Sequence, residues 1–95
     1  MVTEFAEIDV KPGMEDEFKA GVAASHELFA RAKGCHGASL QQSVEEPAHF
    51  VLLVKWDSVA DHNEGFRASP DFQIWRKNVG HCFAAPPRVW HGQAV

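Results

Sequence analysis

Apolar residues along the chain recur in short alternating stretches and in longer ones stepped by three and four. Val2 to Val10 alternates: Ala6, Ile8 and Val10 share one face, and Phe5, Glu7 and Asp9 the other, as a strand requires. Lys11-Pro12-Gly13 ends it. Met14 to Lys33 reads as one helix, with Met14, Phe18, Val22, Ser25, Phe29 and Ala32 forming a mostly apolar stripe. Glu15, Asp16 and Glu17 in its first turn and Arg31 and Lys33 in its last suit the helix dipole, and Gly34 is a natural stop. His36 to Val44 is a second strand, turned at Glu45-Glu46-Pro47. His49 to Trp56 is the third. Its centre, Phe50-Val51-Leu52-Leu53-Val54, is apolar on both faces, so both faces call for cover.

Asp57 or Ser58 caps a short helix running to about Ala68, with Ser58 and Asp61 at capping-box-like spacing. Ser69-Pro70 starts another, with proline in the first helical position; it carries Phe72, Ile74, Trp75 and Val79 and stops at Gly80. His81 to Ala85 is loop, stiffened by Pro86-Pro87, and Arg88 to Ala94 is the fourth strand. The order β-α-β-β-α-β predicts an α+β, ferredoxin-like fold: an antiparallel sheet with helices on one face. The third strand then needs a partner on the bare face. A second copy packed sheet to sheet supplies one and predicts a homodimer.

Composition narrows the function classes. The 95 residues allow a single domain, 1–95, small enough that folding alone buries only about 60–65% of its unfolded surface. A net charge of −4 and the lack of a basic run argue against nucleic acid as partner. No apolar stretch is long enough to span a bilayer, and the N-terminus lacks the layout of a signal peptide. Two cysteines make no disulfide framework, so the expected setting is the cytoplasm, with free thiols.

Several motifs together resemble the antibiotic biosynthesis monooxygenase (ABM) family of dimeric α/β barrels. They are Glu7-Ile8-Asp9-Val10-Lys11-Pro12-Gly13 followed by Phe18, Gly34-Cys35-His36-Gly37, Trp56-Asp57-Ser58, Ser69-Pro70-Asp71-Phe72 and Pro87-Arg88-Val89. The resemblance covers nearly the whole chain. It implies a homodimer with one small pocket per subunit, between the sheet and its own helices. Relatives oxidise polycyclic aromatics, quinols or haem, often with no bound flavin or metal.

The resemblance also implies positions. Actinorhodin-type members carry an Asn and a Trp four apart after the third strand and a Tyr six residues on. That spacing holds His62, Phe66 and Phe72 here, with Asn63 one residue off. An Arg on the last strand of such enzymes corresponds to Arg88. Haem-degrading members need an Asn, a Trp and a His ligand where this chain has Glu7 or Asp9, Phe66 and Arg76, which weakens a haem reading.

Oxygenation without a cofactor needs an apolar pocket, a base of suitable pKa and a donor to a developing oxyanion. His62 is the candidate base, since imidazole titrates near neutrality; its plainer reading is a half-exposed helix residue without a role. Arg88 and His91 are the other catalytic candidates, against an exposed edge charge and a cross-strand packing residue. Asn63, Phe66, Phe72, Trp75 and Trp90 are candidates for holding a flat aromatic substrate, although aromatics at helical spacing commonly serve the core. Cys35-His36 and His81-Cys82 suggest zinc, but adjacent residues tend to diverge and metal pairs are spaced by two to four. Zinc is therefore not expected, and the resemblance implies no bound flavin or other metal. The leading expectation is a cofactor-independent monooxygenase acting on a small aromatic, phenolic or quinol compound. The alternative is a dimeric ligand-binding or stress-associated protein that has lost catalysis, and haem binding is a third reading.

Overall fold

A computed structural model describes residues 1–95. Four strands, β1 (Val2–Asp9), β2 (Cys35–Gln42), β3 (His49–Trp56) and β4 (Arg88–Gly92), form one antiparallel sheet in the order β2-β3-β1-β4. Two crossovers, one before β2 and one before β4, place the helices on one face. The fold is α+β and ferredoxin-like, and the sheet is open. At 19 Å the short axis spans one sheet and one helical layer.

Register follows the alternation. β1 pairs with β3 from Val2↔Trp56 to Asp9↔His49 and with β4 from Thr3↔Gly92 to Glu7↔Arg88. Ala6, Ile8, Phe50, Leu52, Val54 and Trp56 all point to the helices and are buried. Phe5, Val51 and Leu53 point to the open face and are only half-buried. Fully burying a side chain the size of Phe18 or Phe50 contributes roughly 1.5–3 kcal/mol, and both are 0% exposed.

The first helical stretch is not continuous. α1 (Glu15–Ala24) and α2 (His26–Ala30) meet at Ser25. The Ser25 hydroxyl donates to the Gly21 carbonyl at 2.8 Å and accepts from the Asn78 side-chain amide at 2.9 Å. Back-bonding of this kind bends helices. The bend lets α1 pack closely on α3 (Pro70–Val79), so that Gly21 lies against the Asn78 carbonyl.

The segment after β3 is also not a plain α-helix. Asp61–Phe66 forms a π-helical turn, closed by the i→i+5 bond from the Arg67 N–H to the His62 carbonyl at 3.0 Å. Its entry matches the capping pattern: the Ser58 hydroxyl accepts from the Asp61 N–H at 3.2 Å and donates to its carboxylate at 3.0 Å. Ser69 caps α3 by accepting from the Phe72 N–H at 3.3 Å.

Smaller differences sit at element ends. β2 stops at Gln42, leaving Val44 89% exposed, and β4 stops at Gly92. Val10 leaves β1 and makes an isolated bridge to Phe83. Gly80–Cys82 forms one 3-10 turn in the expected loop. No helix is long and apolar enough to cross a membrane.

Candidate functional site

The helices do not close completely over the inner face of the sheet. Between them lies a cavity of about 790 Å³, within the range of small-molecule sites. Ala6, Ile8 and Leu52 form its floor. Phe29, Phe66, Phe72 and Trp75 form aromatic walls, and Pro86, Pro87 and Val89 border it on the β4 side. Phe66 and Phe72 meet edge to face at 5.8 Å, and Phe29 and Trp75 do so at 5.1 Å.

One polar chain interrupts this apolar lining. Glu4 faces inward from β1, in step with Ala6 and Ile8, and is only 5% exposed. The Trp56 indole Nε1 donates to Glu4 Oε1 at 2.9 Å. His62 Nε2 lies 3.3 Å from the same oxygen, and His62 Nδ1 shares a hydrogen bond with His91 Nε2 at 2.9 Å. His91 stands directly opposite Glu4 across the β1–β4 pairing. The His62 ring also stacks on Trp56, with centroids 5.4 Å apart.

Burial sets the charges of this chain. It pushes the Glu4 carboxyl up to about 7, against smaller downward pulls from the Trp56 hydrogen bond and the Arg67 charge. It pushes His62 down to about 4, helped by the neighbouring His91 and by Arg67. The Glu4–His62 contact is therefore not an ion pair at neutral pH: His62 is uncharged, and Glu4 is poised between acid and carboxylate. In a neutral His62 only one ring nitrogen carries a proton, so each side of the ring has a distinct donor or acceptor role.

Of the residues singled out in the sequence, His62, Phe66, Phe72 and Trp75 line the cavity. His91 lies behind His62 as its hydrogen-bond partner. Asn63, Arg88 and Trp90 lie outside the cavity lining. Asn63 is exposed, one step around the π turn from His62. Arg88 and Trp90 pair with Glu7 and Phe5, which belong to the open face of the sheet. There Trp90 stacks on Phe5 at 4.3 Å and donates to Glu7 at 3.1 Å, while Arg88 approaches Glu7 at 3.7 Å. Asp9, on the same face, bonds His49 at 2.8 Å.

Glu4 is the residue that sequence reasoning passed over. Its parity with Ala6, Ile8 and Val10 was the available signal: a carboxylate in step with a buried face. The cysteines are free and lie on separate elements. The 3-10 turn directs both His81 and Cys82 toward Glu17, with His81 Nε2 2.5 Å from the carboxylate and Cys82 Sγ 3.9 Å from it. This contact ties α1 to the segment after α3.

Comparison with known proteins agrees with the fold. The family model for antibiotic biosynthesis monooxygenases matches residues 1–78. YczJ, an uncharacterized protein of Bacillus subtilis (strain 168), is 35% identical over 95 residues, covering 100% of both chains. A crystal structure of a candidate antibiotic biosynthesis monooxygenase from Bordetella bronchiseptica is 52% identical and superposes with a TM-score of 0.98, covering 99% of this chain and 96% of that one. SnoaB, a cofactor-independent oxygenase from Streptomyces nogalater, is 19% identical and shares the fold, with a TM-score of 0.82 over 98% of this chain and 91% of its own. Over most of its length, then, this chain belongs to the antibiotic biosynthesis monooxygenase family.

Proposed function

We propose that the protein is a cofactor-independent monooxygenase that oxidises a small aromatic, phenolic or quinol substrate in the cavity under the helices. The observation that carries this reading is the Glu4–His62–His91 chain, buried at Glu4 and His62, which puts proton-handling groups in and behind an otherwise aromatic wall.

The chemistry divides between substrate, dioxygen and protein. A ring hydroxyl bound near Glu4 gives its proton to the carboxylate. A base with a pKa close to the working pH is best suited to this step. The resulting electron-rich anion passes one electron to dioxygen, and the radical pair joins as a hydroperoxide at a ring carbon that bears hydrogen. Loss of water from that carbon leaves a carbonyl, so one oxygen atom ends in product and the other in water. Phe66, Phe72 and Trp75 hold the ring flat and keep water out. Glu4 returns its proton to the peroxide, and neutral His62, bonded to His91, holds the Glu4 carboxyl in place.

We place the active unit in a homodimer, formed through the open sheet face that carries Phe5, Val51, Leu53 and Trp90. The setting is the cytoplasm.

The test is oxygen uptake with a panel of hydroquinones and polycyclic phenols, with no flavin or metal added. Uptake above the buffer blank, lost in Glu4→Gln and reduced in His62→Asn, is the expected result. Thermal stabilisation by such compounds without any uptake would instead establish a ligand-binding protein. That second reading is favoured by the His, Phe and Phe at positions 62, 66 and 72, where actinorhodin-type members have Asn, Trp and Tyr.

A further inference from the structure

Four arginines are present, and their surroundings divide them in two. Arg31 and Arg88 have carboxylate neighbours: Arg31 makes a bidentate pair with Asp71 at 2.8 Å, and Arg88 lies 3.7 Å from Glu7. Both lie outside the cavity lining. Arg67 and Arg76 have no carboxylate within salt-bridge distance, and both line the cavity. The chain carries −4 overall, yet the charged groups at this opening are two unneutralised guanidinium groups.

The two are held where a ligand would pass. The Arg67 guanidinium sits 5.7 Å from the centre of the Phe72 ring, itself a wall of the cavity. Its charge acts on both Glu4 and His62, so its field reaches the buried end. Arg76 follows Trp75 on α3 and borders a second, shallower groove of about 610 Å³ that also carries Lys77, together with His81, which is paired with Glu17. The two depressions share Arg76 and Phe83, so the positive surface continues outward from the opening. An apolar cleft rimmed by one sign of charge concentrates ligands of the opposite sign. A planar guanidinium fork matches a carboxylate.

We infer that the cavity selects hydroxylated aromatic carboxylates, with the ring between Phe66, Phe72 and Trp75, the carboxylate at Arg67 and Arg76, and the ring hydroxyl toward Glu4. This rests on the aromatic-substrate reading above and adds the anionic group. The orientation follows from the two ends of the site. Cations at the opening hold the fixed negative charge in a partly wet place. The poised carboxyl inside receives only a neutral hydroxyl, because a second carboxylate there would meet Glu4 unfavourably.

Binding of a matched pair, a naphthol and the corresponding hydroxynaphthoate, measured by calorimetry at low salt tests this directly. The hydroxynaphthoate is expected to bind at least tenfold more tightly, and added salt should narrow the gap. Arg67→Met and Arg76→Met should each reduce the preference, and the double variant should abolish it while naphthol binding persists. Lys33→Met, an exposed charge outside the cavity lining, should leave the preference intact. Equal binding of the two compounds, or a preference that survives in the double variant, overturns the selectivity but not the aromatic site. Failure of both compounds to bind overturns the aromatic site and the selectivity with it. Melting curves of the variants confirm folding, which exposed arginines do not control.

Discussion

The indole of Trp56, at the end of β3, holds the carboxyl of Glu4 on β1 through a buried 2.9 Å hydrogen bond. An uncompensated carboxyl in that place would be costly. The bond offsets part of the cost while leaving the acid free to titrate. Glu4→Gln keeps the size and a hydrogen-bond acceptor for the indole but removes the titrating group. It should lower the turnover of any accepted phenol by about 10²-fold or more, with ligand affinity nearly unchanged. Steady-state kinetics beside calorimetry separates the two effects.

The same carboxyl links stability to pH. Its folded value of about 7 exceeds the ordinary value of 4.5, so the folded chain holds the proton more tightly than the unfolded one. Stability from this source is complete below pH 4.5 and is lost as pH rises through 7. His62 works the other way: its folded value of about 4 lies below 6.5, so its stability is complete above pH 6.5 and is lost as pH falls through 4. Each shift is on the order of 3 kcal/mol across its window, and the two oppose each other between pH 4.5 and 6.5. In that interval Glu4→Gln should grow more stable as pH rises, relative to the parent, and His62→Asn should grow less stable. Urea unfolding at several pH values shows the opposed slopes. Parallel curves for all three proteins would contradict them.

The positions of Glu4 and His62 show what the sequence made legible. Strand alternation placed Ala6, Ile8 and Val10 on the buried side, and the same count run backward reaches Glu4. Ser69-Pro70 and Ser58/Asp61 announced their caps through local hydrogen bonding, which short motifs encode. The break at Ser25 was hidden because its cause is a distant residue, Asn78. Nor does local sequence distinguish a π turn from an α turn at 61–66, since each keeps His62 and Phe66 on an inward face. The bond from His62 to His91 joins residues 29 positions apart and depends on β4 docking beside β1.

Gly21 allows α1 to lie against α3. A methyl group there would stand 2.5 Å from the Asn78 carbonyl oxygen and 3.0 Å from Val79. Alanine favours a helix by about 1 kcal/mol over glycine, but the backbone oxygen cannot swing aside as a side chain would. Gly21→Ala should therefore destabilise the fold by about 1–2 kcal/mol despite its better helix propensity. A lower urea midpoint with an unchanged slope is the expected measurement.

Val51 and Leu53 occupy the open face of β3, with Phe5 opposite Leu53 on β1. If two copies bury this face, Leu53→Lys places an unpaired charge in the contact. Sedimentation should then fall from twice 10.5 kDa to the single-chain mass. Circular dichroism on the same sample distinguishes separation from unfolding. A parent protein that sediments near 10.5 kDa at micromolar concentration would rule out the dimer.

β4 is an edge strand, bonded to β1 alone, yet it carries the imidazole that backs His62. Edge strands fray at a lower free-energy cost than the strands beside them. Each excursion of β4 would admit water to Glu4 and restore an ordinary carboxyl for as long as it lasts. The acidity of the cavity would then be an average weighted by how often its last strand is in place. Anything that pins β4, whether a ligand against Val89 or a second sheet against Trp90, would tune the chemistry without touching the acid itself.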